Sequence, residues 1–321
     1  HLGHYAGALE NWLDLQKEYE CYFLIADYQA LGDHLGEIER IRKSVLDVAL
    51  DWLAVGLDPE DSSFVIQSYV PEHAELTMYL SMLTPLNELQ RNPTLKSEMA
   101  QIAAMKETLT VGFFNYPVSQ VADILLPKAH VVPVGEDQIP HVEFTREIAR
   151  KFNRMYKRVF PEPQAKAGRV ARLVGIDGRA KMSKSLDNAI YLSDTAERVR
   201  TKIRSMITDI TGQHPRMKPT DPGSVENNPV FLYHDAFNPD IAAVDDLKAR
   251  YRTGRVSDGE VKDRLLRALN DFLDPIRERR ARFEAHMDDV KDALISGSNR
   301  EKKLAEETML QVRHALQVIY T

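Results

Sequence analysis

The chain has 321 residues, 43% of them hydrophobic, enough for a large core and suggestive of two domains. Cys21 is the only cysteine, which excludes an internal disulfide and a multi-cysteine zinc site. A formal charge of −6 excludes a generic polyanion binder, so any nucleic-acid surface must be local.

The opening segment, His1-Leu2-Gly3-His4, reads as the middle of a motif, and a preceding strand is expected ahead of it. Tyr5 to Tyr19 has apolar residues near helical spacing. Cys21 to Ala26 is a short continuous apolar run ending at Asp27, which suits a buried parallel strand. Ile38 to Val55 is helical, with Ile38, Ile41, Val45, Val48 and Trp52 on one side. Phe64 to Gln67 is the next strand. Glu72 to Met82 and Leu86 to Asn92 read as helices separated by Pro85. Tyr116-Pro117 is expected to open a helix running through Leu125. His130 to Gly135 is a second strong strand, and Gln138 to Asn153 a helix. This alternation predicts an α/β domain with a parallel sheet.

After about residue 190 the strand signals stop. Asp194 with Glu197 three residues on suggests a capping box, and Asn228-Pro229 a cap with a first-turn proline. Val261 to Leu273 and Lys302 to Val318 are helical, so the second half is expected to be all-helical. No run approaches the ~20 apolar residues of a membrane span, and no secretory pattern is present. A cytoplasmic location is therefore expected.

Two motifs carry chemistry. In His1-Leu2-Gly3-His4, Gly3 removes the side chain where a ligand could approach. The following helix N-terminus offers free N–H groups, and two imidazoles can donate to phosphate oxygens. Alone, the tetrapeptide is also compatible with a chance surface sequence. Lys181-Met182-Ser183-Lys184-Ser185 follows an apolar run, Val170 to Ile176, and a turn at Asp177-Gly178. Its two lysines can reach the β- and γ-phosphates of ATP and stabilise departing pyrophosphate; the bland alternative is a solvated basic turn.

Together the motifs resemble the HIGH and KMSKS signatures of class I aminoacyl-tRNA synthetases, in the same order along the chain. Three more segments resemble the tryptophanyl-tRNA synthetases: Phe23 to Ala30, Tyr116 to Leu125, and Val132 to Gln138 with His141, Glu143, Thr145 and Arg146. The resemblance runs over nearly the whole chain. It implies a Rossmann-like parallel-sheet catalytic domain over 1–190, including the KMSKS loop. A helical anticodon-binding domain would follow over 191–290, with a C-terminal helix over 291–321 packing back on the catalytic domain.

The resemblance also implies site residues. His4, Lys181 and Lys184 would be catalytic. His1, Gly3, His4, Gly135, Glu136, Asp137, Leu173, Lys181, Met182, Ser183, Lys184 and Ser185 would hold ATP, with Leu173 equally a core residue. Asp123 would accept from the indole N–H, which is donor-only and must meet an acceptor. Tyr116 and Gln120 share its helix face, since spacings of four and three superpose side chains. Val132 and Val134 alternate on a strand and could wall an indole pocket, although ordinary core packing explains at least one of them. Gln138 would bind the amino acid's polar end, and Gln29 would line the pocket. Gln120 and Gln29 stand where many family members have methionine and histidine. Mg2+ is expected with ATP, with no dedicated metal site. The expected partners are L-tryptophan, tRNA(Trp) and a second copy in a homodimer. Between Lys248 and Arg282, 11 Lys/Arg face 6 Asp/Glu, a local basic surface for the anticodon arm or simply a solvated helix face. His34, His73, His214, His234, His286 and His314 show no ligand spacing and read as surface or structural residues; Trp12 and Trp52 read as packing residues. Rival readings are a tyrosyl-tRNA synthetase, a small adenylyltransferase, and a synthetase-derived binding protein without catalysis.

Overall fold

A computed structural model describes residues 1–104, 108–135, 138–167, 173–178, 182, 186–210, 218–226 and 228–320. The chain is an α/β Rossmann-like fold with helical additions, and it divides into two compact units. One comprises His1–Asn11 and Gly168–Ala285; the other comprises Trp12–Ala167 and His286–Thr321. Both are discontinuous in sequence. We refer to them as unit 1 and unit 2.

Unit 2 carries the described strands. β1 (Cys21–Ile25) pairs in parallel with β2 (Ser62–Ile66), and β3 (Val131–Val134) with β4 (Gln164–Ala167). The first pair keeps Cys21 opposite Ser62 and Ile25 opposite Ile66. The connecting helices are α3 (Asp27–Asp33) and α4 (Ile38–Val55) after β1. After β2 come α5 (Glu72–Leu83), α6 (Leu86–Leu89), α7 (Pro93–Ala104) and α8 (Val111–Leu125), and α9 (Ile139–Met155) links β3 to β4. Parallel strands need such crossovers, and the apolar run of β1 suits a strand covered by them.

Trp12, Phe23, Trp52 and Phe64 form one aromatic cluster on the β1–β2 pair. Trp12 stacks on Phe23 at 4.7 Å, and Trp52 meets Phe64 edge-on at 5.4 Å. Offset and edge-on pairs of this kind add to what area burial alone provides. The larger core joins α5, α8 and α9. Leu76, Leu80, Val118, Val121, Leu125, Ile148 and Phe152 are buried there, with Ala305, Met309 and Val312 from the last helix, α14 (Met287–Leu316).

The packing of α14 on β2 has a specific cause. A Cβ at Gly297 would overlap the backbone of Phe64, so only glycine permits the approach. Ser298 Oγ then accepts from Ile66 N at 3.0 Å. Arg300 donates to Ser63 Oγ at 2.9 Å and to the carbonyls of Pro59 and Ser62 at 2.7 Å. Side chains of α14 thereby satisfy backbone groups along β2 that would otherwise face an open edge. Farther along, Arg313 makes a forked pair with Glu75 on α5.

Unit 1 is helical in its second portion, with α10 (Ala196–Ser205), α11 (Pro229–Phe237), α12 (Ile241–Arg252) and α13 (Asp258–Glu284). Its opening residues are α1 (Leu2–His4), a π-helical turn over Tyr5–Leu9 and the start of α2 (Glu10–Leu15). Tyr5 packs against Phe272 at 4.8 Å and Phe237 at 6.4 Å. Asn228 caps α11 by accepting from Val230 N, and Pro229 fills its first position, as the sequence predicts. The α10 cap lies one residue later than predicted. Thr195 accepts from Arg198 N, because Asp194 is committed elsewhere: its carboxylate takes Tyr191 N at 2.9 Å and Lys202 Nζ at 2.6 Å. Arg277 Nε donates to the Asp194 carbonyl at 2.7 Å, so one of the α13 arginines fastens the helices together.

Candidate active site

The first motif meets Met182, the one described residue of the second, within unit 1. His1 caps the first turn, its Nδ1 accepting from His4 N at 3.1 Å. Gly3 N points at the Met182 sulfur, 3.2 Å away. A Cβ on Gly3 would lie 3.1 Å from that sulfur and 3.3 Å from His1 Nδ1. Leu2 is fully buried and its N–H bonds to the Ile190 carbonyl at 2.9 Å. The first motif is therefore seated on the chain that follows the second. Two of the amides that the sequence offers to phosphate, those of Gly3 and His4, are engaged internally. Met182 is buried, His4 exposed, and Leu173 buried. Glu136, Asp137, Lys181, Ser183, Lys184 and Ser185, and residues 170–172 of the expected strand, lie outside the described residues.

In unit 2, α8 begins at Val111, five residues before the predicted Tyr116-Pro117 start. Thr110 caps it by accepting from Phe113 N at 3.0 Å. Pro117 sits inside the helix, where it removes one N–H donor; its appearance as a start signal comes from the usual preference of proline for a first turn. Tyr116, Gln120 and Asp123 follow at spacings of four and three on this helix. Tyr116 donates to Glu98 Oε2 on α7 at 2.8 Å, and burial together with Glu98 raises its phenol far above the ordinary range. The ring lies 6.1 Å from His141. Gln120 Oε1 is buried with no hydrogen-bond partner among the described residues.

Asp123 is held from two elements. Its Oδ1 accepts from Gln67 Nε2 at 2.7 Å and lies 2.9 Å from His73 Nδ1. The second contact runs off the N–H direction, so it is an ion pair rather than an aligned hydrogen bond. Gln67 follows β2, is fully buried, and accepts at Oε1 from Tyr28 N at 3.2 Å; Gln29 is the next residue on α3, half-buried. The other ring nitrogen of His73, on α5, lies 3.4 Å from Glu301 of α14. His73 and Glu301 are each 1% exposed. Burial alone would lower the His73 imidazole. The two carboxylates outweigh it and lift the pKa from 6.5 to about 9, so the ring is a cation at neutral pH. A buried cation between the buried Glu301 carboxylate and the largely buried Asp123 carboxylate satisfies the rule that such charges are paired.

Val132 and Val134 are half-buried on β3. Gln138 caps α9, its N–H closing a turn onto the Gly135 carbonyl at 2.9 Å. α8 packs against α3 and α9, the elements that carry or abut Gln29 and Gln138. Sequence reasoning missed Gln67, His73, Glu98 and Glu301. Of these only His73 was singled out, as a surface or structural residue; it is a buried partner of Asp123.

The family described as tRNA synthetases class I (W and Y) matches residues 1–274. The chain is 50% identical over 318 residues to the tryptophan–tRNA ligase of Treponema pallidum, covering 98% of this chain and 93% of that protein. It is 46% identical to the tryptophan–tRNA ligase of Chlamydia caviae, covering 99% and 92%. Among solved structures it is similar to the tryptophanyl-tRNA synthetase of Campylobacter jejuni complexed with ADP and tryptophan, at TM-score 0.85 and 33% identity, covering 99% and 96%.

Proposed function

The chain belongs to the class I tRNA synthetases for tryptophan and tyrosine, and from that premise we propose that it is a tryptophan–tRNA ligase. In the first step a carboxylate oxygen of L-tryptophan attacks the α-phosphorus of ATP. The bond to the bridging α–β oxygen breaks, and pyrophosphate leaves with the electron pair. In the second step a ribose hydroxyl at the 3′ end of tRNA(Trp) attacks the carbonyl carbon of tryptophanyl-adenylate and AMP departs. No covalent nucleophile of the protein is needed; positioning and charge stabilisation carry the rate.

His1, Gly3, His4, Gly135, Glu136, Asp137, Leu173, Met182 and Ser185 are assigned to ATP. Lys181, Ser183 and Lys184 are assigned to the charge that grows on pyrophosphate, with Mg2+ entering on the nucleotide. Asp123 takes the indole N–H, Tyr116, Gln120, Gln29, Val132 and Val134 surround the ring, and Gln138 takes the polar end. The observation that carries the choice of tryptophan is the largely buried Asp123 carboxylate, an acceptor-only group that a donor-only indole nitrogen matches. A site built around such an acceptor rejects substrates lacking the donor.

Residues 191–290 are assigned to the anticodon arm. The excess of Lys and Arg over Asp and Glu between Lys248 and Arg282 supports a polyanion surface there. Residues 1–190 are assigned to catalysis, and 291–321 to bracing that domain. We assign a homodimer built on the α/β portion: Met78, Met82 (70% exposed), Leu86 and Val111 (85% exposed) leave apolar surface around α5, α6 and the start of α8. No described helix is long and apolar enough to cross a membrane; we assign the enzyme to the cytoplasm, where the tRNA it would charge is used.

Amino-acid-dependent exchange of pyrophosphate into ATP is the direct test. Exchange is expected with tryptophan and not with tyrosine, and Lys184→Ala is expected to abolish most of it while leaving tryptophan binding intact. Equal exchange with tyrosine, or none with either, would sink the assignment.

A further inference from the structure

We propose that His73 and Glu301 are positioning residues for amino-acid selection: Glu301 on the last helix holds the His73 ring, and the ring and Gln67 together commit Asp123 Oδ1 to the protein, leaving Oδ2 for the substrate donor. This rests on the reading of Asp123 as the indole acceptor.

The two protein contacts both fall on one carboxylate oxygen, Gln67 at 2.7 Å and His73 at 2.9 Å. They arrive from different elements, the turn after β2 and α5, while Asp123 itself lies on α8. Contacts from two directions on a single oxygen restrict rotation of the carboxylate about its last bond, a torsion that is otherwise broad. The second oxygen takes neither contact. Carboxylate oxygens are acceptors only, so a substrate N–H is the chemistry this arrangement suits.

Glu301 contributes by holding the ring. It reaches His73 from a residue 228 positions away, at 3.4 Å, and both groups are buried. Without its charge the ring would keep one partner instead of two and would hold its proton less firmly. A neutral ring pairs more weakly with Asp123, and the carboxylate would then turn among several orientations. Selection by an N–H donor depends on that orientation, whereas packing of the indole rings against apolar walls does not. Loss of His73 or Glu301 should therefore weaken recognition of the donor while sparing recognition of shape. That separates positioning from a purely structural role.

The experiment compares L-tryptophan with β-(benzothiophen-3-yl)alanine, in which sulfur replaces the indole N–H at nearly constant shape. Pyrophosphate exchange gives kcat/KM for each, and their ratio is the readout, with the KM for ATP measured alongside. In Glu301→Gln and in His73→Gln the ratio should fall about tenfold, what loss of a charge-assisted contact is worth. The tryptophan KM should carry the change, and the KM for ATP should stay put. Glu301→Asp, which keeps the charge, should recover part of the ratio. If both amino acids weaken equally, or the ratio is unchanged in Glu301→Gln, the inference is overturned; that variant decides the matter where His73→Gln fails to fold. Asp123→Asn separates the two readings. If it collapses the ratio while the His73 and Glu301 variants do not, positioning alone is wrong. If it leaves the ratio intact, the acceptor reading falls and the inference with it.

Discussion

Raising the pH should loosen unit 2 through a single imidazole. Burial pushes His73 down, and Asp123 on α8 with Glu301 on α14 overcome that effect, bringing its pKa to about 9 in the folded chain. The unfolded chain holds the same proton with a pKa near 6.5. A group that binds its proton more tightly when folded contributes its full stability below about 6.5 and loses it as pH climbs through about 9. At ~1.36 kcal/mol per pH unit, the gap between the two values is worth roughly 3 kcal/mol. The two tryptophans of the chain, Trp12 and Trp52, both lie in unit 2 in the aromatic cluster on β1 and β2, so their fluorescence follows that unit. Urea unfolding would be recorded this way at intervals from pH 6.5 to 9.5 for the wild type and for His73→Gln. The variant should be the weaker protein at pH 6.5, and the difference between the two should shrink by roughly 3 kcal/mol by pH 9.5. Parallel pH dependence of the two proteins across that window would refute the reasoning.

Two other outcomes follow from close contacts. Gly3→Ala places a methyl 3.1 Å from the Met182 sulfur and 3.3 Å from His1, so the contact between Gly3 and Met182 must yield. At about 1–3 kcal/mol for overpacking, kcat/KM for ATP in pyrophosphate exchange should drop tenfold or more, with tryptophan binding by fluorescence titration unaltered; an unchanged KM and kcat would contradict it. Gly297→Ala drives a methyl into the Phe64 backbone and should destabilise unit 2 by at least about 1–3 kcal/mol, read as a lowered urea midpoint; an unshifted midpoint would show that α14 can retreat without loss.

Legibility of the sequence varied with the kind of signal. The helix over Ile38–Val55 was readable to its ends because its apolar stripe is long and Gly56 stops it in a left-handed conformation. The strand at Cys21–Ile25 was readable because a continuous apolar run of that length suits little else. The strand Gln164–Ala167 was not, since its four residues alternate too briefly to stand out, and α7 went unassigned for want of a clear apolar stripe. At α8 and α10 the wrong residue was read as the boundary. Pro117 resembles a first-turn proline, and Asp194 resembles a cap while its carboxylate serves Lys202 and Tyr191. Of the proposed site, Tyr116, Gln120 and Asp123 were legible as one face because helical spacing is local. The partners Gln67, His73 and Glu301 were not, because contacts between residues 56 and 228 positions apart leave no trace in local pattern.

The bracing of β2 by α14 also bears on how the chain is born. Residues 287–316 leave the ribosome long after Ser62–Ile66 have emerged. Until then the backbone groups of β2 that Ser298 and Arg300 later cover are open to any passing strand, and His73 lacks one of its two counter-charges. Nascent chains of this protein therefore carry an adhesive strand edge until α14 has been made. A chain that loses its last helix, by premature termination or by proteolysis, stays in that state permanently and becomes a substrate for chaperones and for aggregation.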